Sequence, residues 1–201
     1  MKSRMREICK SGSVRGCKTE PLTQTKNWVK ERSEVEKVYS TILMANEQNK
    51  DFNAMLNNNK DMPKTQIITD EASIKKYGGS KMFFAPPAEY DKIMKTIPTG
   101  KIITVGAIRD YFAKINGADF TDPITAGIFV SIAAWASEQR TVDKTPYWRT
   151  LKANGELNEK YPGGALAQKK RLETEGHTVI QRGRTNIRYY VQNYEQVVFS
   201  L

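Results

Sequence analysis

The 201-residue sequence predicts a mainly α fold with a small β component, and three observations carry that prediction. Apolar residues recur at helical spacing in successive segments, those segments are bounded by residues that start or stop helices, and only short runs alternate as strands do. No internal repeat or long low-complexity tract interrupts the pattern.

Residues 1–25 carry Lys2, Arg4, Arg6, Lys10, Arg15 and Lys18 against Glu7 and Glu20, which makes a basic, disordered arm with little apolar surface to fold around. Residues 26–85 read as an N-terminal extension of helices and short strands. Val35, Val38, Ile42 and Leu43 recur at helical spacing, Phe52, Met55 and Leu56 repeat the pattern, and the Asn57-Asn58-Asn59 run breaks it. Between Met62 and Pro87 the runs TQIIT and KMFFA are β-prone and suggest a strand pair, with Lys75 to Gly79 between them as a turn.

Residues 86–201 form the best-organised region. Pro86-Pro87 can open a helix whose apolar face is Tyr90, Ile93, Met94 and Ile97, and Pro98 and Gly100 end it. Thr104 is suited to cap a second helix with Ile108, Tyr111 and Phe112 on one side, terminated by Asn116-Gly117. Asp122 can cap a third, with Pro123 at its first position. This helix, through about Glu138, is apolar nearly all round and is expected to be the buried helix of the core. The last two helices and the glycine-containing turn between them make a helix-turn-helix candidate, with a connection longer than usual. A final helix is expected from about Ala165 to Glu175, stopped by Gly176. After it, HTVIQRGRTNIRYYV alternates as a C-terminal β-hairpin turning near Arg182-Gly183, and its arginines give it the look of a wing.

The charge narrows the partners. A formal +10 favours a polyanion such as nucleic acid or an anionic surface, although a basic chain can also be merely well solvated. The longest apolar stretch, Ala126 to Ala136, falls short of the ~20 residues that cross a bilayer, so no membrane partner and a cytoplasmic location are expected. Cys9 and Cys17 lie in the basic arm at a spacing unlike that of a zinc site, and His177 is the single histidine. No metal and no cofactor are expected, nor a serine or cysteine mechanism built on His177.

One ordered set of landmarks remains: IPTGKIITVGAI from Ile97, then a helix, then PYWRTLKANGELNEKYPGGALAQKKRLETEGH ending at His177. This resembles the C-terminal DNA-binding domain of the 6-O-alkylguanine-DNA alkyltransferases and of their cysteine-lacking relatives, the alkyltransferase-like proteins. The likeness spans about eighty residues and rests on the proline-glycine-lysine turn before the helix, PYWR, the Tyr-Pro-Gly-Gly turn and the closing Glu-Gly-His. The stretch from Met62 to Ile97 also resembles bacterial members of this family that share the PYWRT form.

The resemblance implies a helix-turn-helix or winged-helix-like domain, double-stranded DNA as partner, a repair protein as a second partner class, and a monomer. It implies a base pocket of Pro146, Tyr147, Trp148, Arg149, Tyr161, Gly163, Gly164 and Glu175. It also implies DNA-backbone contacts from Thr104, Val105, Thr125, Lys169, Lys170, Arg182 and Arg184.

Active members use a cysteine thiolate to accept the alkyl group of a flipped guanine, with a neighbouring histidine passing its proton toward a glutamate. Tyr147 stands at that cysteine and Trp148 at that histidine. A phenol with an ordinary pKa near 10 is a poor nucleophile, and an indole nitrogen is a donor only. No catalytic residue is therefore expected, and Glu175, which matches the glutamate, is expected to be structural. The arginine that fills the gap of a flipped base in the family has no counterpart between Thr125 and Trp135, and Val105 replaces the tyrosine that helps turn the nucleotide.

Plainer readings stand beside these. Tyr147 and Trp148 either line an open site or plug a former cavity. Arg149 can organise loop carbonyls, Lys169-Lys170-Arg171 can be a solvated helix face, and Gly163-Gly164 can serve only a turn. The functional expectation is a DNA-binding, repair-related protein that does not transfer methyl groups. The alternatives are a regulatory or interaction module whose old pocket is filled or binds another ligand, and an alkyltransferase by homology that is inactive.

Overall fold

In a computed structural model the chain is described for residues 49–201 other than Lys60. The basic arm of residues 1–25, both cysteines and the run through Val35, Val38, Ile42 and Leu43 lie outside the described residues. All described residues belong to one compact unit that spans Ser40–Leu201.

The described chain opens with α1 (Phe52–Asn57), whose Asp51 side chain accepts from the Ala54 N–H. Phe52 and Leu56 are buried, and the Phe52 ring stacks on Trp135 at 5.6 Å. Next come β1 (Lys64–Ile67), α2 (Glu71–Tyr77) and β2 (Lys81–Phe84). The strands pair antiparallel, from Lys64 opposite Phe84 to Ile67 opposite Lys81.

The expected turn at Lys75–Gly79 is corrected: Lys75, Lys76 and Tyr77 are the last turn of α2. Asp70 caps this helix and Gly78, at φ 82°, ends it in the left-handed conformation that glycine adopts without strain. Its apolar residues are too few to give a helical stripe, and none is fully buried.

Local signals place the next three helices. α3 (Pro87–Thr96) begins with proline at its first position and buries Tyr90 and Met94. The two-residue β3 (Ile103–Thr104) leads into α4 (Val105–Ile115), capped by Thr104, whose hydroxyl accepts from Ala107 N at 3.1 Å. β4 (Phe120–Thr121) pairs parallel with β2, so residues 64–84, set apart by sequence as an extension, share a sheet with the region after Pro86. α5 (Pro123–Gln139) is capped by Asp122, which accepts from Thr125 N at 2.7 Å.

α5 is the central helix, packed by α1, α3 and α4. Its burial is nonetheless one-sided at the start: Ile124 and Ile128 are 72% and 51% exposed, which corrects the expectation of a helix buried all round. With no charge between Pro123 and Ser137, composition does not mark which side of the helix faces water.

A 3-10 turn at Tyr147–Arg149 follows, then β5 (Thr150–Leu151), parallel to β3. α6 (Gly164–Thr174) and the antiparallel pair β6 (Val179–Arg182) and β7 (Arg188–Val191) complete the fold. Two apolar clusters result. The larger gathers Tyr90, Met94, Ile108, Phe112, Val130, Tyr147 and Tyr161, and the smaller gathers Ile102, Leu151, Leu157, Leu172 and Val191. Trp148 packs against both.

The loop between α5 and the 3-10 turn is held by a buried polar network. Arg140 donates two hydrogen bonds to Asp91, at 3.0 and 2.9 Å, and one to Thr145 Oγ1 at 2.9 Å, while the Thr145 hydroxyl donates to Asp91. Ser137 and Thr145 exchange a second pair, Oγ to carbonyl at 3.0 Å and N–H to Oγ at 2.8 Å. Burial would raise the Asp91 carboxyl, but the hydrogen bonds from Arg140 and Thr145 outweigh it and hold the group below the usual range. Removing the carboxylate strands a guanidinium that is only 17% exposed. Asp91→Ala is therefore expected to cost about 3 to 5 kcal/mol in urea unfolding. A loss under about 1 kcal/mol would mean the network contributes little.

Candidate functional site

The separated segments of the motif meet at one place. Tyr147 and Trp148 stand edge-to-face at 5.6 Å, and Tyr147 meets Tyr161 in the same way at 5.4 Å. Arg149 reaches across to Glu175, with Nε donating to Oε2 at 2.9 Å and Nη2 to Oε1 at 2.7 Å. It also donates to the Ile97 carbonyl at 2.7 Å and to Thr99 Oγ1 at 2.9 Å. Glu175 accepts further from Trp148 Nε1 at 2.8 Å and from Gly100 N at 3.4 Å. The turn before α4, the PYWR segment and the Glu-Gly-His segment are thus tied by one ion pair whose two side chains are each 11% exposed.

The Tyr-Pro-Gly-Gly turn is built by two left-handed glycines, Gly163 at φ 72° and Gly164 at φ 67°, and closed by Gly164 N donating to Tyr161 O at 2.7 Å. All eight residues assigned to the pocket by resemblance lie in or beside this assembly. The seven assigned to the DNA backbone are spread over four places. Thr104 and Val105 open α4, with the Thr104 hydroxyl already engaged as a cap, and Thr125 sits in the first turn of α5 with its Oγ1 buried and without a partner. Lys169 pairs with Glu173 at 3.7 Å and lies over the Tyr189 ring, while Lys170 is exposed. Arg182 lies over Tyr190, and Arg184 is exposed in the loop between β6 and β7.

Of the two readings of the aromatic pair, the geometry favours the plug for Tyr147. Its side chain is 1% exposed, as is that of Tyr161, and its hydroxyl donates to Glu138 Oε1 at 2.7 Å. Burial first, and the Glu138 hydrogen bond second, push the Tyr147 phenol far above its ordinary range. Tyr147 is a neutral donor at physiological pH. His177 is also buried, its Nε2 has no partner, and burial lowers its pKa so that it stays neutral. A cleft of about 420 Å³ exists elsewhere, walled by Met55, Phe84, Pro87, Thr125 and Phe129, and no motif residue lines it.

Sequence reasoning missed three participants. Glu138, at the end of α5, accepts from Tyr147 and from Arg171 Nη2 at 2.6 Å. Arg171 belongs to the run expected to be a solvated face, yet its guanidinium lies 4.7 Å from the Trp148 ring and 5.2 Å from the Tyr147 ring. Gln168 is buried and pins the motif backbone: its Nε2 donates to the carbonyls of Trp148 and Thr150 at 3.0 and 3.2 Å, and its Oε1 accepts from Asn158 N at 2.7 Å. Gln168 and Arg171 lie at i and i+3, one face of α6, which is the sequence signal that could have paired them.

No family model matches the chain, and no curated protein matches it. Two solved structures are similar to it: S. pombe Atl1 in complex with damaged DNA containing O6-carboxymethylguanine, and S. pombe ATL in complex with DNA. Each is 22% identical, covers 57% of this chain and 94% of its own, and superposes with a TM-score of 0.40. A score of that size is too low for the likeness to assign a function.

Two outcomes follow from the geometry. Tyr147→Ala removes a fully buried ring and is expected to destabilise the fold by about 3 to 5 kcal/mol in urea unfolding, whereas a ring lining an open site would cost well under that. Glu175 supplies the pH dependence. Burial would raise its carboxyl, but hydrogen bonds from Arg149 and Trp148 and the Arg149 charge outweigh burial and hold it below the usual range. A carboxylate lowered in the folded state stabilises the protein fully above its unfolded pKa, and that stability is lost as pH falls through the folded one. Unfolding measured over a pH series should show Glu175→Gln less stable at neutral pH and converging on wild type in acid. Parallel curves would contradict the assignment.

Proposed function

We propose that this chain is a DNA-binding protein of the alkyltransferase-like type, acting in DNA repair by recognition without methyl transfer. The observation that carries the reading is the convergence of the dispersed motif: Ile97 to Gly100, Pro146 to Arg149, Tyr161 to Gly164 and Glu175 are far apart in sequence and meet around one ion pair and one aromatic cluster. In this reading α4 and α5 are the helix-turn-helix, the β6–β7 hairpin is the wing, and Lys170, Arg182 and Arg184 meet phosphates.

The chemistry at Tyr147 supports recognition rather than repair. Alkyl transfer needs an anionic nucleophile, and this phenol is buried, donates to a carboxylate and has its ionisation suppressed by both. Trp148 donates its only N–H to Glu175 and cannot relay a proton. The Arg149–Glu175 pair is an internal strut in this reading. Its members already satisfy each other, so neither is a substrate contact.

A titration against duplex DNA carrying a labelled methyl group on guanine tests both halves together. Affinity should fall at least about tenfold between roughly 50 and 200 mM salt as phosphate contacts release counterions, and no label should move to protein. Flat salt dependence or no binding at low salt would overturn the DNA reading, and label on any residue from Pro146 to Arg149 would overturn the absence of transfer.

A further inference from the structure

The strand β1 is an outer strand of its sheet. The order is β1–β2–β4, so among the described residues β1 pairs on one side only, and all four of its residues are exposed. The register fixes which main-chain groups its free side offers. Ile68 N donates to Ser80 O at 2.8 Å, and the alternation continues through Gln66 opposite Met82 and Lys64 opposite Phe84, so Lys64 and Gln66 direct their N–H and C=O groups at β2. Thr65 and Ile67 turn theirs outward. The side chains alternate as well. Lys64, Gln66 and Phe84 share one face of the sheet, and all three line the cleft of about 420 Å³, whose interior is completed by Met55, Met62 and Phe129. Outward main-chain donors and acceptors beside a pocket at alternate positions are the two parts by which a sheet edge takes an extended peptide.

We infer that β1 and the cleft beside it form a docking site for an extended segment of a partner protein, which adds a strand along Thr65 and Ile67 and seats one aromatic side chain in the cleft. Two thioethers and two phenyl rings suit an aromatic ring better than an aliphatic chain. A second copy of this chain fits less well. Two β1 strands paired about Gln66 would offer lysine and glutamine to each other's clefts and leave the apolar interior empty. A ladder of four residues a side is also small beside the ~1,000 Å² that a stable interface buries. Charge is not the main attraction either, because Lys64 at the mouth is paired with Asp61 at 2.5 Å and lies over the Phe84 ring at 5.6 Å. The site stands apart from the DNA reading, whose phosphate contacts are Lys170, Arg182 and Arg184.

The test adds the full chain to labelled seven-residue peptides, threonine alternating with serine around a central phenylalanine, leucine or alanine, and reads fluorescence anisotropy. The phenylalanine peptide should bind at least about tenfold more tightly than the alanine one, as burial of one large apolar side chain requires, with leucine between them. Its affinity should change less than about twofold between roughly 50 and 200 mM salt. Ile67→Pro removes an outward N–H and spares the ladder with β2, so it should abolish peptide binding and leave duplex binding unchanged. Met55→Glu places a charge in the cleft at a residue that is 40% exposed, and should remove the preference for phenylalanine. A thermal melt establishes that each variant is folded. The peptide supplies a control that needs no variant: N-methylation of one alternate set of its residues should abolish binding and N-methylation of the other should not, since only one set faces β1.

No binding by wild type, equal binding of the three peptides, binding that survives in folded Ile67→Pro, or indifference to both N-methylation patterns would overturn the inference. A wild-type dimer in sedimentation that Ile67→Pro dissociates would assign the edge to a second copy and overturn it as well. Duplex binding without peptide preference leaves the DNA reading standing and sinks the docking site, and peptide preference without duplex binding does the reverse.

Discussion

Irregular backbone can be buried only if its hydrogen-bonding groups find partners, and the loop from Thr145 to Leu151 is irregular and buried along most of its length. Thr145, Tyr147, Thr150 and Leu151 are all nearly inaccessible. The surrounding structure supplies side chains for this loop from three directions. Ser137 on α5 takes the main-chain groups of Thr145, Gln168 on α6 takes the carbonyls of Trp148 and Thr150, and Arg149 turns outward from the loop to hold Ile97 and Glu175. These polar contacts tie α5 and α6 to the loop in addition to their apolar packing. That explains why a chain with a modest apolar content devotes a buried aspartate, threonine and glutamine and a half-buried arginine to one turn.

The parts of this fold that were legible in the sequence are those whose cause is local. Thr104, Asp122 and the Pro86-Pro87 pair start helices because a side-chain oxygen meets an N–H three residues on, or because proline lacks a donor the first turn does not need. The limits of α4 and α5 follow from such contacts within a few residues. α2 escaped because its own residues bury almost nothing, leaving Asp70 and Gly78 as the only signals at its ends. The exposure of Ile124 and Ile128 escaped because a helix with no charge between Pro123 and Ser137 carries no mark of its wet side.

The site divides along the same line. The eight residues that the resemblance groups lie close along the chain, but the contacts each makes depend on elements far away in it. Arg171 follows two lysines and reads as one more surface cation. Its role comes from Glu138, 33 residues earlier, and from two rings that reach it only after α6 docks on the 3-10 turn. Arg149 and Glu175 were placed by resemblance in the base pocket, with a structural role expected for Glu175 and offered for Arg149 as the plainer alternative. In the fold the two form an ion pair whose side chains are each 11% exposed.

The tyrosine at the motif's second position also explains its neighbours. A cysteine side chain would leave unfilled much of the space that the Tyr147 ring takes between Trp148 and Tyr161, and a phenol buried there needs an acceptor, because a stranded hydroxyl costs about 1 to 3 kcal/mol. Glu138 is that acceptor. A carboxylate set against aromatic rings in turn needs a cation, and Arg171 is the nearest one, 2.6 Å away. The tyrosine, the glutamate and the arginine are therefore one unit, each present because of the one before it. A thiol at position 147 would need neither partner for its own burial. The trio fills this turn with two rings, a carboxylate and the planar cation that neutralises it.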